Sequence, residues 1–479
     1  MTSTKQNFFY NSLLSLAQVV FPLITFPYVA RVLNPEGIGE VSFVESIVRY
    51  GILFSALGIP IYGVREVAKV KKDAVKLKKL FNELFLLHLL MSLVPIIICS
   101  IAIAYFSKFS FSNSYVVLGC LMIISNVFLF EWFLQGMGDF KFITQRSIIV
   151  RLVIIFLTFL LIKRNTDTIA YFGLVVMTSV MNGLWNFMYI LKYIGLNFDF
   201  SKLDFKRHLK PMLYIFGSLA FISVYTLLDT LMLGILADEK AVGLYSTAVK
   251  FSRVPIVFIA ALGGVLISKL SELYEEKKMG EFTALINKSV RFVLLFSIPT
   301  FFFLLGLSKQ IILVFAGADY KDAYILVQIL GILSLLIGLS NIFGLQILTA
   351  MSKDRLFTYS VLLGTIISLS LNFILIPIYK EVGAAVTNVI TEIAVTLSTF
   401  IFARRYVDIS FQLSGTLKLI LFSLPLTFLP AFVLRFTDSN LVVIVISSTL
   451  AVIYYFMLQF FVLKEPILIE LKDKINERL

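Results

Sequence analysis

NPEGIGEVSFVESIVRYG, residues 34–51, returns 204 residues later as DEKAVGLYSTAVKFSRVP, residues 238–255. Gly39 falls on Gly243, Ser42 on Ser246 and Arg49 on Arg253. Each copy lies in a long apolar stretch. Each is followed by a charged segment: VREVAKVKKDAVKLKK (64–79) after the first, SKLSELYEEKKMGEF (268–282) after the second. Farther on the offset grows to 214, and GMGDFKFIT (136–144) falls on AMSKDRLFT (350–358), a short basic turn in both. The chain is therefore built from two copies of one plan.

The composition says what the plan is made of. The 479 residues are 59% hydrophobic and 15% charged, with a mean hydropathy of +0.94. Soluble domains are typically nearer 45–50% apolar and about 25% charged. Apolar runs of roughly 20 residues recur from end to end, each long enough to cross a ~30 Å hydrocarbon core as a helix. The expected fold class is an all-α polytopic membrane protein of about fourteen transmembrane helices. The expected spans are 8–33, 38–63, 82–106, 114–135, 145–162, 168–190, 211–236, 242–267, 288–306, 323–350, 357–377, 381–403, 414–434 and 440–463. With the N-terminus in the cytoplasm, the cytoplasmic segments carry 29 of the 42 Lys and Arg, the other side 9, and the spans 4. That asymmetry alternates loop by loop and predicts both termini cytoplasmic.

Two six-helix lobes and a C-terminal pair follow. The expected divisions are 1–191 for the first lobe, 192–210 for a cytoplasmic linker, 211–405 for the second lobe and 406–479 for the last two helices and a tail. An even number of spans per lobe makes the repeats parallel, related by an axis along the membrane normal.

The net charge of +13 does not point to nucleic acid, because the basic residues sit in short loops between spans. MTSTKQNFFYNSLLSLAQVV leads straight into a helix with no secretory cleavage site. Cys99 and Cys120 fall inside spans and read as small packing residues. His88 and His208 form no ligand spacing, and no metal site is expected. No nucleotide-binding glycine loop, zinc-protease motif or other catalytic pattern is present. The expectation is a protein that is not an enzyme and carries no cofactor.

The charges inside spans are the sites of interest. A charge at the centre of a membrane helix costs about 2.5–3.5 kcal/mol. Arg49 lies near the middle of its span, with Glu45 one turn before it as a salt-bridge partner. Two readings stand: a structural pair, or a cation that lines a water-filled cavity and meets an anion. Arg253 has Val249 at i−4 and Lys250 at i−3, so its local neighbour is a like charge. Arginine suits phosphate, which it grips with two donors. Asp229 and Glu392 carry two readings each, as partners of these cations or as proton or sodium coupling sites. Glu131 and Arg151 lie near span ends and read as interfacial. Pro22 and Pro27 bend the first span and read equally as hinge or static kink. Asn186, Asn341, Gln346, Asn372 and Asn388 offer amides inside spans, for a sugar or simply between helices.

LITFPYVARVLNPEGIGEVSFVESI (23–47) and LLDTLMLGILADEKAVGLYSTAVKF (227–251) resemble the opening two helices and the seventh and eighth helices of the polysaccharide-export branch of the MATE-like flippase superfamily. The resemblance implies a flippase of the bacterial cytoplasmic membrane. It would move undecaprenyl-pyrophosphate-linked oligosaccharides for O-antigen, capsule or exopolysaccharide by alternating access. Proton or sodium coupling and work alongside a polysaccharide polymerase and chain-length proteins are implied with it. Relatives carry cavity cations in helices two and eight, where Arg49, Lys250 and Arg253 stand. Only Arg31 charges the first helix, which departs from lipid II flippases of the same superfamily. The alternatives are a cation-coupled multidrug antiporter, whose cavity should be acidic, and a non-transporting scaffold for glycosyltransferases.

Overall fold

The computed structural model describes residues 4–105, 113–195, 203–411 and 413–462. By contacts the chain divides into two compact units, Met1–Gly243 and Leu244–Leu479. The linker expected over 192–210 lies partly outside the described residues, as does the tail beyond 462.

The first unit runs α1 (Thr4–Ala56), α2 (Ile59–Val70), α3 (Ala74–Tyr105), α4 (Asn113–Val127), α5 (Glu131–Met137), α6 (Phe140–Leu161), α7 (Thr168–Ile194) and α8 (Lys206–Leu236), then enters α9 (Glu239–Ser252). α1 is two helices in one. Asn34 adopts φ 60° and ψ 174°, a left-handed φ that asparagine tolerates better than most residues, and Pro35 opens the second helix. The chain stays helical through Pro22 and Pro27, so the non-helical residue is Asn34 and not either proline. A second break follows at Leu57 (φ 42°) and Gly58 (φ 80°), where Pro60 starts α2. α8 packs on α1 and α2 and lies in the first unit.

The second unit continues with α10 (Val254–Glu275), α11 (Met279–Phe315), α12 (Ala323–Leu330), α13 (Leu333–Asn341), α14 (Asp354–Ala403), α15 (Leu413–Ser423), α16 (Pro425–Val433) and α17 (Asn440–Met457). A π-helical stretch, Ile342–Thr349, joins α13 to the turn before α14. α14 also contains two helices, parted at Lys380 (φ 46°, ψ −125°). α11 is the spine. Its Phe282, Ile286 and Val290 are buried with Leu270, Phe343 and Ile347. The C-terminal helices dock on it: Thr427 donates to the Phe302 carbonyl at 3.0 Å and Tyr455 to the Leu295 carbonyl at 2.5 Å.

Eleven helical segments among the described residues are long and apolar enough to cross a membrane. Two of them, Leu16–Val70 and Asp354–Ala403, are the pairs parted at Asn34 and Lys380. α8 adds a shorter apolar helix, Leu227–Leu236. Eleven segments, two of them double, stand beside the expectation of about fourteen spans. The outward faces fit a bilayer: along α3, Ile97 and Ile101 are both about 60% exposed. This is a multi-pass helical membrane protein.

With lipid on the outside, helices associate through close packing at small residues. The repeat supplies the clearest case. A Cβ on Gly39 would lie 1.7 Å from the Glu239 carbonyl oxygen, and one on Gly243 would lie 1.8 Å from that of Pro35. The two glycines that the repeat superposes are the two that let the second helix of α1 touch the start of α9.

Candidate functional site

Arg49 sits on the second helix of α1, and Glu45 is its partner. Arg49 Nε and Nη2 both donate to Glu45 Oε1, at 2.9 and 2.6 Å. The arginine side chain remains 55% exposed and the glutamate 24%. Nη1 has no protein acceptor among the described residues. Tyr50, the next residue, lies within electrostatic reach of Asp229 on α8, and Asp229 is buried at 2% exposure. The first unit thus brings together Glu45 with Arg49 and Tyr50 with Asp229. Glu45, Arg49 and Tyr50 all sit on the part of α1 between the Asn34 and Leu57 breaks.

In the second unit the helix stops at Arg253. α9 ends at Ser252 and α10 begins at Val254, so Arg253 is the capping residue at a discontinuity. Pro255 accounts for the break, because it has no N–H to donate to an earlier carbonyl. Lys250 and Arg253 are both exposed. Glu392 lies on the second helix of α14 with 3% exposure, on one buried face with Thr387, Asn388, Thr391, Thr396 and Thr399. Asn388 donates to the Tyr245 hydroxyl at 3.1 Å, and Thr396 to the Leu336 carbonyl at 3.0 Å. Other amides also serve as ties: Asn372 donates to Ser368 Oγ at 3.3 Å, and Asn186 donates to the Leu129 carbonyl. Gln346 is buried in the π-helical stretch and Asn341 half-buried before it.

Both cysteines are free thiols, and Cys99 packs against the Ile47 carbonyl at 3.5 Å. Among the described residues no cluster of three His, Cys, Asp or Glu could hold a metal.

Two clusters escaped the sequence. Glu83 on α3 has a fully buried side chain. It accepts from His208 Nε2 at 3.0 Å, from the Asp204 backbone N–H at 3.0 Å and from Arg207. The other ring nitrogen of His208 meets the Tyr62 hydroxyl at 2.8 Å. This network pins the start of α8 to α2 and α3. Arg146 on α6 is the other case. It stands at the very start of the expected span 145–162, yet it is 1% exposed and pairs with Glu131 at 3.0 Å through Nη2. Its Nε and Nη1 have no hydrogen-bond partner among the described residues. Glu131, expected to be merely interfacial, is thus the counter-charge of a buried arginine. Arg151 is within electrostatic reach of both.

The comparisons with known proteins agree on one lineage. The family model described as polysaccharide biosynthesis protein matches residues 4–274, more than half of the chain, and the MatE model matches 215–374. A candidate O-antigen transporter of Escherichia coli (strain K12) is 25% identical over 422 residues, covering 84% of this chain and 97% of the relative. A capsular polysaccharide biosynthesis protein, CapF, of Staphylococcus aureus is 27% identical over 220 residues, 45% of this chain and 55% of the relative. Among solved structures, the lipid II flippase MurJ in an inward closed conformation superposes with TM-score 0.72 at 18% identity, over 93% of this chain and 98% of that one. An inward-facing multidrug resistance MATE family transporter gives 0.61 at 14%, over 84% and 96%. These two show a shared fold. Because the family match runs unbroken from α1 to the last turn of α10, through the segments that carry Arg49 and Arg253, the chain belongs to the polysaccharide biosynthesis protein family, the polysaccharide-export branch of the MATE-like flippase superfamily.

Proposed function

We propose that the protein flips lipid-pyrophosphate-linked oligosaccharides from the cytoplasmic to the outer leaflet of a bacterial cytoplasmic membrane by alternating access. The observation that carries this reading is the exposure of Arg49. A guanidinium near the middle of an apolar span cannot face hydrocarbon without a cost of about 2.5–3.5 kcal/mol. Its open side therefore faces water or an anion. Glu45 holds Nε and Nη2 and leaves Nη1 without a protein acceptor among the described residues. A pyrophosphate needs such donors where water is scarce. In the second unit Arg253 and Lys250 are also exposed cations, at the break between α9 and α10. The names of the E. coli and S. aureus relatives support a glycan as the cargo. The cationic balance disfavours an organic-cation antiporter with the same fold.

In this reading the buried carboxylates Asp229 and Glu392 are the coupling residues, for a proton or a sodium ion. Both chain termini face the cytoplasm, as the basic loops favour.

The test is translocation of a labelled polyprenyl-pyrophosphate oligosaccharide in proteoliposomes. Arg49→Ala and Arg253→Ala should each lower transport at least tenfold while the protein stays folded, and Arg49→Lys should restore part of it. Full transport by the double alanine variant would reject the anion site. An unchanged rate after an imposed pH or sodium gradient would remove the coupling role from Asp229 and Glu392.

A further inference from the structure

We infer that His88 on α3 is a proton-binding site, shut in this structure and filled from water when the helix beside it opens. The side chain is 4% exposed, and neither Nδ1 nor Nε2 has a hydrogen-bond partner among the described residues. A neutral imidazole carries one N–H and one bare nitrogen. Both are orphaned here, although buried polar groups are normally hydrogen-bonded. His88 belongs to the stripe Phe81, Phe85, His88 and Ser92, spaced i, i+4, i+7 and i+11 on one helix face. The two phenylalanines pack on Phe130, with ring centroids 5.1 and 5.4 Å apart. Ser92 donates its hydroxyl hydrogen to the Leu89 carbonyl at 2.7 Å. A leucine would fill this place without orphaned polar atoms. An ionisable side chain kept there instead is a functional site by default in a membrane helix.

What the surroundings lack identifies the ligand. α3 packs against α1, α2, α4 and α7. Among the described residues no charged or titratable group on them comes within electrostatic reach of the ring: not Glu45 or Arg49 on α1, Tyr62 or Glu66 on α2, Cys120 on α4 or Lys192 on α7. On α3 itself Glu83 is held by Arg207 and His208. A metal ion needs further ligands, and none stands beside this ring. A lone imidazole is a proton acceptor. The proton adds to the bare nitrogen and gives an imidazolium with two N–H groups. In the packed state that cation would be buried without a counter-ion, which is strongly unfavourable. Protonation therefore selects a state in which water reaches His88.

α3 has the means to open there. Pro95 lies inside the helix and has no N–H to give to the Met91 carbonyl four residues before it. Sharp helix kinks form at such prolines. Met91 is three residues past His88, within one turn of it. Leu90, Met91, Val94 and Pro95 also border an open cavity of about 600 Å³, so this weakened turn has free space on one side. The close packing around His88 thus ends next to a turn that can bend. Proton binding stands on these features alone. Its use as a coupling ion rests on the flippase reading, where His88 joins Asp229 and Glu392.

The test is solid-state NMR of the full chain in lipid bilayers with isotope-labelled histidine. The sequence has two histidines, and the signal missing from His88→Leu identifies His88. Between about pH 8 and pH 5, where imidazole changes charge, an imidazolium signal from His88 should appear and grow. Amide hydrogen exchange over residues 84–95 is the second readout. Wild type should match His88→Leu and His88→Gln at pH 8 and exchange faster than both as the pH falls, by up to about tenfold per pH unit, the limit for one proton. A His88 ring that stays neutral throughout would overturn the inference. So would equal exchange in all three proteins at pH 5, or faster exchange in both variants already at pH 8, which would leave His88 a packing role only. Neither readout involves a glycolipid, so failure of the flippase reading would leave both intact. Transport by His88→Gln that keeps its full response to a pH gradient would overturn the coupling use alone.

Discussion

Replacing Gly243 with alanine is the sharpest stability test that the fold offers. The added Cβ would stand 1.8 Å from the Pro35 carbonyl oxygen and 2.7 Å from its carbon. Contacts under 3.0 Å essentially never occur for real Cβ atoms, so the helices must part by roughly 1.2 Å. The obstacle is backbone, which cannot rotate away as a side chain would. Overpacking of this kind costs about 1–3 kcal/mol. Gly39→Ala meets the Glu239 carbonyl at 1.7 Å and should cost the same. The two changes press on one crossing, so their effects should not add. Once the helices have separated for one methyl group, the second finds room, and the double variant should be little worse than either single. Gly280→Ala is the control, because a Cβ there meets nothing within 4 Å. It should leave the Tm unchanged or slightly raised. The measurement is thermal unfolding of purified protein in detergent, followed by intrinsic fluorescence. Wild-type Tm in both single variants would refute the close crossing. A double variant that loses the full sum would refute the shared mechanism.

Two buried ion networks give further expectations. Glu131→Ala should destabilise by roughly 3 kcal/mol, because it strands the buried Arg146 charge, whereas Arg146→Met should cost less and should rescue Glu131→Ala when combined with it; chemical denaturation of the four proteins checks the order. Glu83→Ala removes the acceptor for Arg207, His208 and the Asp204 amide, at about 1.5–3 kcal/mol for a charged hydrogen bond. Hydrogen exchange of the amides at 204–212 should accelerate in that variant more than exchange in α11, and equal acceleration in both would show that the network does not act locally.

How much of this was legible in the sequence depends on distance along the chain. The spans and their repeat were legible because apolar length and spacing are local. The superposed glycines were visible as a pair, but not that they touch, since a repeat says what is equivalent and not what is adjacent. The break at Asn34 falls in the gap expected between the spans 8–33 and 38–63, whereas Pro22 and Pro27, expected to bend the first span, lie in a stretch that stays helical. A proline inside a membrane helix can be absorbed by its neighbours, and a left-handed φ cannot. Glu83 with His208 and Arg146 with Glu131 were missed for a different reason. Their partners lie 125 and 15 residues apart, and each residue stands at or near the end of an expected span, where a charge reads as interfacial. Nothing in composition distinguishes an arginine that points inward from one that points to water.

Arg49 carries two readings, a structural pair and a ligand site, that its geometry does not set against each other. Its i, i+4 carboxylate suggested either a structural pair or a ligand site. The geometry makes these compatible. One oxygen of Glu45 holds two guanidinium nitrogens, which fixes the plane of the fork, while the side chain stays more than half exposed. A cation held in place before its anion arrives loses less freedom on binding. The neutralised pair also costs less to keep at mid-membrane than a bare charge when the site is empty. Removing Glu45 should therefore not free Arg49 for stronger binding. Glu45→Gln should weaken transport of a pyrophosphate-linked substrate through lost positioning, by less than Arg49→Ala does. Transport above wild type in Glu45→Gln would show that the glutamate only competes with the ligand, and the holding role argued here would fail.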